Sequence, residues 1–518
     1  MNFNLAQRFS ACATQSPQNI ALSLHGRDHT YAELAWRAQR VAGWVGSRVG
    51  GSARVGIIGG RSLDTYLAVL GSVWAGATYV PLNPKFPRDR LAALLKRADL
   101  AALIVDASGR ALLNNELLQY CPPAILALGG QHEQISGRQI DGKDSCTQVM
   151  EQPAEVTASD PAYIMFTSGT TGEPKGVVIT AGSIRHFLDC MQQRYKLTPQ
   201  DRLSQLFELS FDASLFDLFM AWDNGASTHV IPDTQLMAPG NFIKEKQLTL
   251  WFGVPSSIAF LRKMNMLQAD MFPTLRFSIF GGEPLPVASV RVWQQAAPNS
   301  VIDNIYGPTE ATVTCFVQRC SEPLAVTAER DVMAIGKPHA GMQGAIIDAD
   351  GHFLPHGEVG EIILAGPQLA VGYWRDPTLT ASKFRSFDSS DETWYCTGDI
   401  GYADSGGVFH HLGRMDNQVK VTGYRVELEE IESHLRELSE SESVVAVAWP
   451  LQDGVALGIV AFLSNCRISL ADLKVRLAQR VPMYMMPKRF IELASLPYTL
   501  NGKIDRRALV QSLDSTQS

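Results

Sequence analysis

A chain of 518 residues exceeds one ordinary hydrophobic core, so its length predicts two or more domains. Its 46% hydrophobic content suits a globular enzyme, and a formal charge of −7 without a long basic run argues against nucleic acid as the main partner. Eight cysteines, at 12, 121, 146, 190, 315, 320, 396 and 466, form no Cys-x-x-Cys pair and no zinc-like cluster with histidine. That is the pattern of reduced, scattered thiols in a cytoplasmic protein.

Residues 1–18 lack the basic start and apolar core of a signal peptide. Strand-like residues 53–58 precede a helical stretch from Leu63, with Gly59-Gly60-Arg61-Ser62 as a turn between them. Residues 66–82 are strongly apolar but interrupted by Gly71, Ser72, Gly76 and Thr78, so they are expected in the core and no membrane insertion is expected. A strand over 162–166 runs into a loop, and Ile184, Phe187, Leu188 and Met191 then share one helical face. Strand and helix patterns alternate in this way through the first 400 residues, which predicts an α/β fold. Asp348-Ala349-Asp350-Gly351 has the start of a calcium loop, but His352, Leu354 and His356 stand where oxygens should lie, so a hairpin turn is expected. After Gly413-Arg414-Met415-Asp416-Asn417 comes an amphipathic helix with Leu428, Ile431, Leu435 and Leu438 on one side, strands over 444–449 and 455–463, and a helix over 470–481. The predicted architecture is a large N-terminal multi-sheet α/β domain, 1–415, followed by a small mobile α+β domain, 416–518. No Gly/Ser linker separates them, which points to a hinge of a few fixed residues. Met483, Met485 and Met486 are expected to be packing residues.

Residues 167–176 read Thr-Ser-Gly-Thr-Thr-Gly-Glu-Pro-Lys-Gly. Hydroxyls, glycines and one lysine supply donors, close backbone access and positive charge, which is what a triphosphate needs. A Walker A loop requires glycine directly before its lysine and serine or threonine directly after it, whereas Pro174 and Gly176 flank Lys175 here. The loop is therefore either a different phosphate-binding loop or a Gly/Thr surface turn. A loop so rich in glycine also predicts a mobile Lys175.

Further motifs follow in order: Asn304-Ile305-Tyr306-Gly307-Pro308-Thr309-Glu310, Tyr395-Cys396-Thr397-Gly398-Asp399, Gly413-Arg414-Met415-Asp416 and Asn501-Gly502-Lys503-Ile504-Asp505-Arg506. With the loop, and with Thr30-Tyr31-Ala32-Glu33-Leu34 and residues 74–82 upstream, they resemble the adenylate-forming superfamily over roughly residues 5–510. The likeness is to the adenylation domains of nonribosomal peptide synthetases. Such enzymes join a carboxylic acid to AMP with release of pyrophosphate and then pass the acyl group to a thiol. Nucleophile and phosphate are both anionic, so catalysis rests on positioning and charge neutralisation.

The resemblance implies ATP and magnesium, with Thr167, Ser168, Gly169, Thr170, Thr171, Gly172 and Lys175 at the phosphates. It implies Tyr306 stacked on adenine, Asn304 on the adenine amino edge, Thr309 at the α-phosphate, Glu310 on the metal and Asp399 on the ribose hydroxyls. Arg414 is a further ribose or phosphate contact, Asp416 the hinge and Lys503 the lysine of the adenylation step. A lysine ~4 Å from developing charge at an effective dielectric near 20 supplies on the order of 4 kcal/mol. A later rotation of the small domain would withdraw Lys503 and bring residues 420–423 toward the site. Asp212 matches the position that binds an amino acid's α-amine, although an aspartate there also suits a helix N-cap. Ala213, Phe216, Gly253, Ile279, Gly281, Ile305, Val313 and Thr314 would line the side-chain pocket, and none is charged. A neutral, small amino acid follows, glycine first and alanine next. No carrier serine or condensation motif is found, so the expected acceptor is the phosphopantetheine thiol of a separate carrier protein. The alternatives are an acyl-CoA synthetase, which Asp212 disfavours, and a catalytically silent nucleotide-binding protein.

Overall fold

The computed structural model describes residues 2–50, 53–169, 173–236, 238–387, 390–441, 443–452, 455–497 and 504–515. Two sheets of nine strands each dominate the large unit among these residues. In one, Ser227–Val230, Arg202–Gln205, Leu250–Gly253, Phe277–Gly281 and Val301–Tyr306 run parallel side by side. In the other, Pro161–Thr167, Thr78–Leu82, Arg54–Ile58, Ala102–Val105 and Ala124–Ala127 do the same. Helices Leu63–Trp74 and Ala213–Trp222 are buried on nearly every side, as helices apolar all round must be. Their side chains join both sheets in one core with Trp44, Phe187 and Tyr195. The helical face read at Ile184, Phe187, Leu188 and Met191 belongs to Ala181–Tyr195, capped by the Thr180 hydroxyl on the Ser183 N–H at 3.1 Å.

A third, antiparallel sheet contains Gly360–Ala365, Ser390–Ala403 and Phe409–Arg414, and its register sets Asp399 opposite Arg414. The small unit packs strands Gln418–Val421 and Tyr424–Glu427, with Val444–Ala448 and Ile459–Leu463, against helices Leu428–Ser439 and Leu470–Leu477. The strand expected over 455–463 is two strands, Val455–Ala456 and Ile459–Leu463, in different sheets. The helix expected to reach residue 481 ends at Leu477 and closes in turns before Pro482. Residues 348–351 make a hairpin turn, with Ile347 bridged to Phe353 and the Asp348 carboxylate accepting the N–H groups of Asp350 and His352. Met485 is buried, but Met483, which opens a one-turn helix, is 80% exposed, so it is not the packing residue that was expected. No described helix is long and apolar enough to cross a membrane.

The turn at Gly59-Gly60-Arg61-Ser62 is tied down by a single buried carboxylate. Asp106 accepts from the Gly60 and Gly109 N–H groups at 3.0 and 2.9 Å and from the Ser62, Thr65 and Ser108 hydroxyls. Burial alone raises its pKa, but these donors hold the carboxyl below the ordinary carboxylate value. Asp106→Ala is expected to cost about 3 kcal/mol in urea unfolding, since it leaves several buried donors unpaired. Its stabilisation is present above the ordinary carboxylate pKa and is lost as pH falls through the depressed value of the folded state.

Candidate active site

In an open α/β sheet, loops at the carboxyl ends of parallel strands are free to form a crevice, because the strand bodies are covered by helices. Here a cavity of about 430 Å³ opens at those ends. It is lined by Phe207 and Ser210–Ala213 beyond Arg202–Gln205, by Phe252 and Val254, by Gly281–Glu283, and by Ile305–Thr309. Thr167 and Ser168 enter from the second sheet, Asp399, His411 and Arg414 from the third, and Val419, Lys420, Gly423 and Arg425 from the small unit. Among the described residues, seven that line the cavity carry buried polar atoms without a hydrogen-bond partner: Thr167 Oγ1, Ser210 Oγ, Asp212 Oδ2, Glu283 Oε1, Asn304 Oδ1, Thr314 Oγ1 and Arg425 Nε. Unpaired buried polar atoms are rare, and their gathering in one cavity marks a ligand's place.

At one end stand Asn304, Tyr306, Asp399 and Arg414. The Asn304 amide donates to the Ala334 carbonyl at 2.8 Å, leaving its oxygen free to accept, as an adenine amino group requires. Asp399 accepts from the Tyr306 hydroxyl, from Arg414 at 2.7 Å and from His411 at 3.3 Å. Burial would raise its pKa, yet His411, Arg414 and Tyr306 hold the carboxyl well below the carboxylate range. His411 was not singled out from the sequence. Its Nδ1 lies 3.0 Å from Arg330, which only donates, so Nδ1 accepts and the proton sits on Nε2, facing Asp399. Asp416 takes two bonds from Arg414 and one from the Gln418 N–H at 3.2 Å.

In the loop that begins at Thr167, residues Thr170, Thr171 and Gly172 lie outside the described residues, as does Lys503. Lys175 is not a mobile loop residue. It opens strand Lys175–Thr180, paired with Thr167, and is 8% exposed. Its ammonium sits 3.8 Å from Glu310 and 3.7 Å from Glu427. Burial, followed by the charge of Arg425, pushes it down to about 8. Glu310 is fully buried in the turn Thr309–Ala311 and accepts from the Tyr373 hydroxyl at 2.7 Å and from Arg425 at 2.8 Å. A metal ion does not fit this carboxylate as it stands, because the Arg425 guanidinium already occupies one oxygen and the Tyr373 hydroxyl the other. The Ser168 hydroxyl donates to the Arg425 carbonyl at 3.1 Å and the Gly169 N–H to Glu430 at 3.2 Å. Glu430 in turn pairs with Arg90 at 2.5 Å. Segment 425–430 thus engages Ser168, Gly169, Lys175 and Glu310 together. Its signal in the sequence was an arginine followed by closely spaced glutamates at a helix start, which reads equally well as a solvated face.

The third end is built around Asp212. It stands at the N-cap position of helix Ala213–Trp222, as the alternative reading expected, but its side chain makes no capping bond there. Burial pushes the carboxyl up, only partly offset by the Thr309 hydroxyl, and Oδ2 has no partner. Ala213, Gly281, Ile305, Val313 and Thr314 line the cavity, whereas Phe216, Gly253 and Ile279 do not. Phe216 is packed against Phe187, Tyr195 and Phe252, and Ile279 lies in the same core. A Cβ at Gly253 would lie 2.7 Å from Trp251 Nε1, so this glycine opens no space. A Cβ at Gly281 would lie 2.7 Å from Ile305 Cγ1, so Ile305 fills what that glycine leaves. The expected set held no charge, but the wall does. Glu283, in a Gly-Gly-Glu turn after Phe277–Gly281, is buried, its carboxyl pushed up by burial, with one oxygen on the Ser256 N–H at 2.8 Å and the other free.

If Lys175 meets phosphate, binding must weaken as it deprotonates. The affinity for a non-hydrolysable ATP analogue is expected to fall as pH rises through about 8, and Lys175→Arg to flatten that profile, in calorimetric titrations. If Arg425 competes with the triphosphate's positive partners, Arg425→Gln tightens the analogue about tenfold and leaves AMP unchanged; weaker binding would instead make Arg425 a direct phosphate contact.

Residues 9–374 match the AMP-binding enzyme family. Tyrocidine synthase 3 of Brevibacillus parabrevis is 34% identical over 518 residues, spanning 98% of this chain and 8% of that protein. The AMB antimetabolite synthetase AmbB of Pseudomonas aeruginosa is 34% identical over 505 residues, 97% of this chain and 38% of its own length. The chain thus spans well under half of either relative. Among solved structures, the Vibrio cholerae adenylation domain AlmE, in complex with glycyl-adenosine-5'-phosphate, is 30% identical with a TM-score of 0.88 over 99% of this chain and 98% of that one. Sequence match and whole-length fold agree: the chain belongs to the AMP-binding enzyme family, as an adenylate-forming enzyme of the adenylation-domain type.

Proposed function

We propose that the protein activates a small neutral amino acid, glycine first and alanine next, and passes it to the phosphopantetheine thiol of a separate carrier protein. The observation that carries this reading is the Asp212 carboxylate. It lies at the cavity wall with an unpaired oxygen, beside a side-chain end that Ile305 shortens over Gly281. A substrate ammonium would satisfy Asp212, and an acid without an amine would leave it buried and unpaired. The glycyl adenylate held by AlmE supports the same substrate size. The chain as a whole also resembles the glycine-carrier protein ligase of bacterial lipid A modification.

In the first step a carboxylate oxygen of the amino acid attacks the α-phosphorus of ATP, the bond to the bridging oxygen breaks, and pyrophosphate leaves. Lys503 would neutralise the carboxylate and phosphate as they meet, Thr309 would donate to the α-phosphate, and Asp399 and Asn304 would hold ribose and adenine. In the second step the thiol sulfur attacks the acyl carbon, the acyl–oxygen bond breaks, AMP leaves and the thiol proton passes to solvent. Rotation of residues 416–518 against 1–415 about Asp416 would separate the two steps. The near approach of Lys420 and Gly423 to the cavity supports an arrangement suited to the second.

Amino-acid-dependent exchange of pyrophosphate into ATP tests the reading. Glycine should lead and alanine follow, Lys503→Ala should lose nearly all exchange, and Asp212→Ala should lower kcat/KM for glycine at least a hundredfold. Ile305→Gly should extend acceptance to larger apolar amino acids. Preference of the native protein for a large aromatic amino acid, or for CoA over a carrier as acceptor, would overturn the assignment.

A further inference from the structure

The cavity wall bearing Val313 is built on costly backbone. Thr312 and Val313 are consecutive β-branched residues with φ of +57° and +64°, in the left-handed region that suits glycine. Such backbone persists only where its surroundings hold it.

Gln368 does the holding. It is fully buried and does not line the cavity. Its amide nitrogen donates to the Thr314 carbonyl at 2.7 Å and lies within 3.3 and 3.4 Å of the Ala311 and Thr312 carbonyls. The Gln368 backbone carbonyl accepts the Thr312 hydroxyl at 2.5 Å. On the opposite end of the amide, Oε1 faces Nδ1 of His186 at 3.3 Å and of His339 at 3.4 Å. Carbonyls accept only, so the nitrogen must face them and the two imidazoles fix the amide from behind. Burial pushes His339 down to about 4, so its ring is neutral near pH 7 and can donate from Nδ1.

We propose that Gln368 is a positioning residue for side-chain selection: it clamps the left-handed turn at Thr312 and Val313 and thereby sets how far Val313 and Thr314 reach into the cavity. This rests on the reading that the Asp212 end of the cavity receives an amino acid. Gln368→Met keeps the shape and removes the donors. Glycine-dependent exchange should then show a KM for glycine raised about tenfold, a KM for ATP unchanged within about twofold, and a smaller glycine-over-alanine preference. Adding Thr312→Gly should restore much of the preference, since glycine takes a positive φ without a clamp. An unchanged preference, parallel losses for ATP and glycine, or no rescue by Thr312→Gly would overturn the proposal. Should Gln368→Met not fold, Gln368→Asn, which shortens the amide's reach by one methylene, is read in the same way. Absence of exchange from the native protein with any amino acid would refute the proposed function instead. A crystal structure of the variant then reads the clamp directly, and a left-handed turn surviving at Thr312 and Val313 would overturn it.

Discussion

The buried carboxylate of Glu310 draws the second sheet and the small unit onto a single point. Tyr373 reaches it from the second sheet, Lys175 from the strand that follows the phosphate loop, and Arg425 from the small unit, while its own backbone carbonyl accepts the Ala370 N–H. Arg425 and Lys175, with the Tyr373 hydroxyl, hold the carboxyl ionised against the burial that would protonate it. Such a charge is stable only with all its partners. Removing one from a buried pair costs about 3–5 kcal/mol, whereas the intact group can be close to neutral in energy. The position of the small unit and the state of the phosphate side are therefore coupled through one side chain.

The same coupling explains the chemistry of segment 425–430. Its carboxylates, Glu427 and Glu430, meet Lys175 and the Gly169 N–H, which are groups suited to phosphate oxygens, and its guanidinium meets an acid suited to a cation. Lys420, pushed down by burial, is brought to the cavity by the adjoining strand. With the small unit packed in this way, the open part of the cavity lies between Asp212, the Asn304 and Asp399 end, and the small unit's Val419 and Gly423.

Much of the architecture was legible because it rests on local chemistry. The helix over Ile184 to Met191 follows from its apolar period and the Thr180 cap, and the split between a large α/β unit and a small α+β unit follows from the change in pattern after Asp416. The motif residues Asn304, Tyr306, Asp399 and Arg414 could be gathered in advance because each motif is a continuous stretch and each of these residues lies in a strand. Pocket size was not readable from the pocket residues alone. Beside Gly253 and Gly281 the space is occupied by Trp251 and Ile305, and whether a glycine opens space depends on which neighbour faces its missing side chain. Glu283 and Gln368 escaped notice for a related reason: each is an ordinary polar residue until burial removes its water.

The sequence by itself determined the fold class, the order of the motifs and the kind of ligand they could serve, since these depend on residue type and near spacing. The tertiary structure decided the rest. It made Lys175 a buried strand residue, set Arg425 on Glu310, closed the pocket with Ile305 and clamped the turn at Val313 through Gln368. Those outcomes rest on pairs such as 310 and 425 or 314 and 368, far apart along the chain. Their energies come from shared burial and opposed charge, which no local stretch of sequence contains.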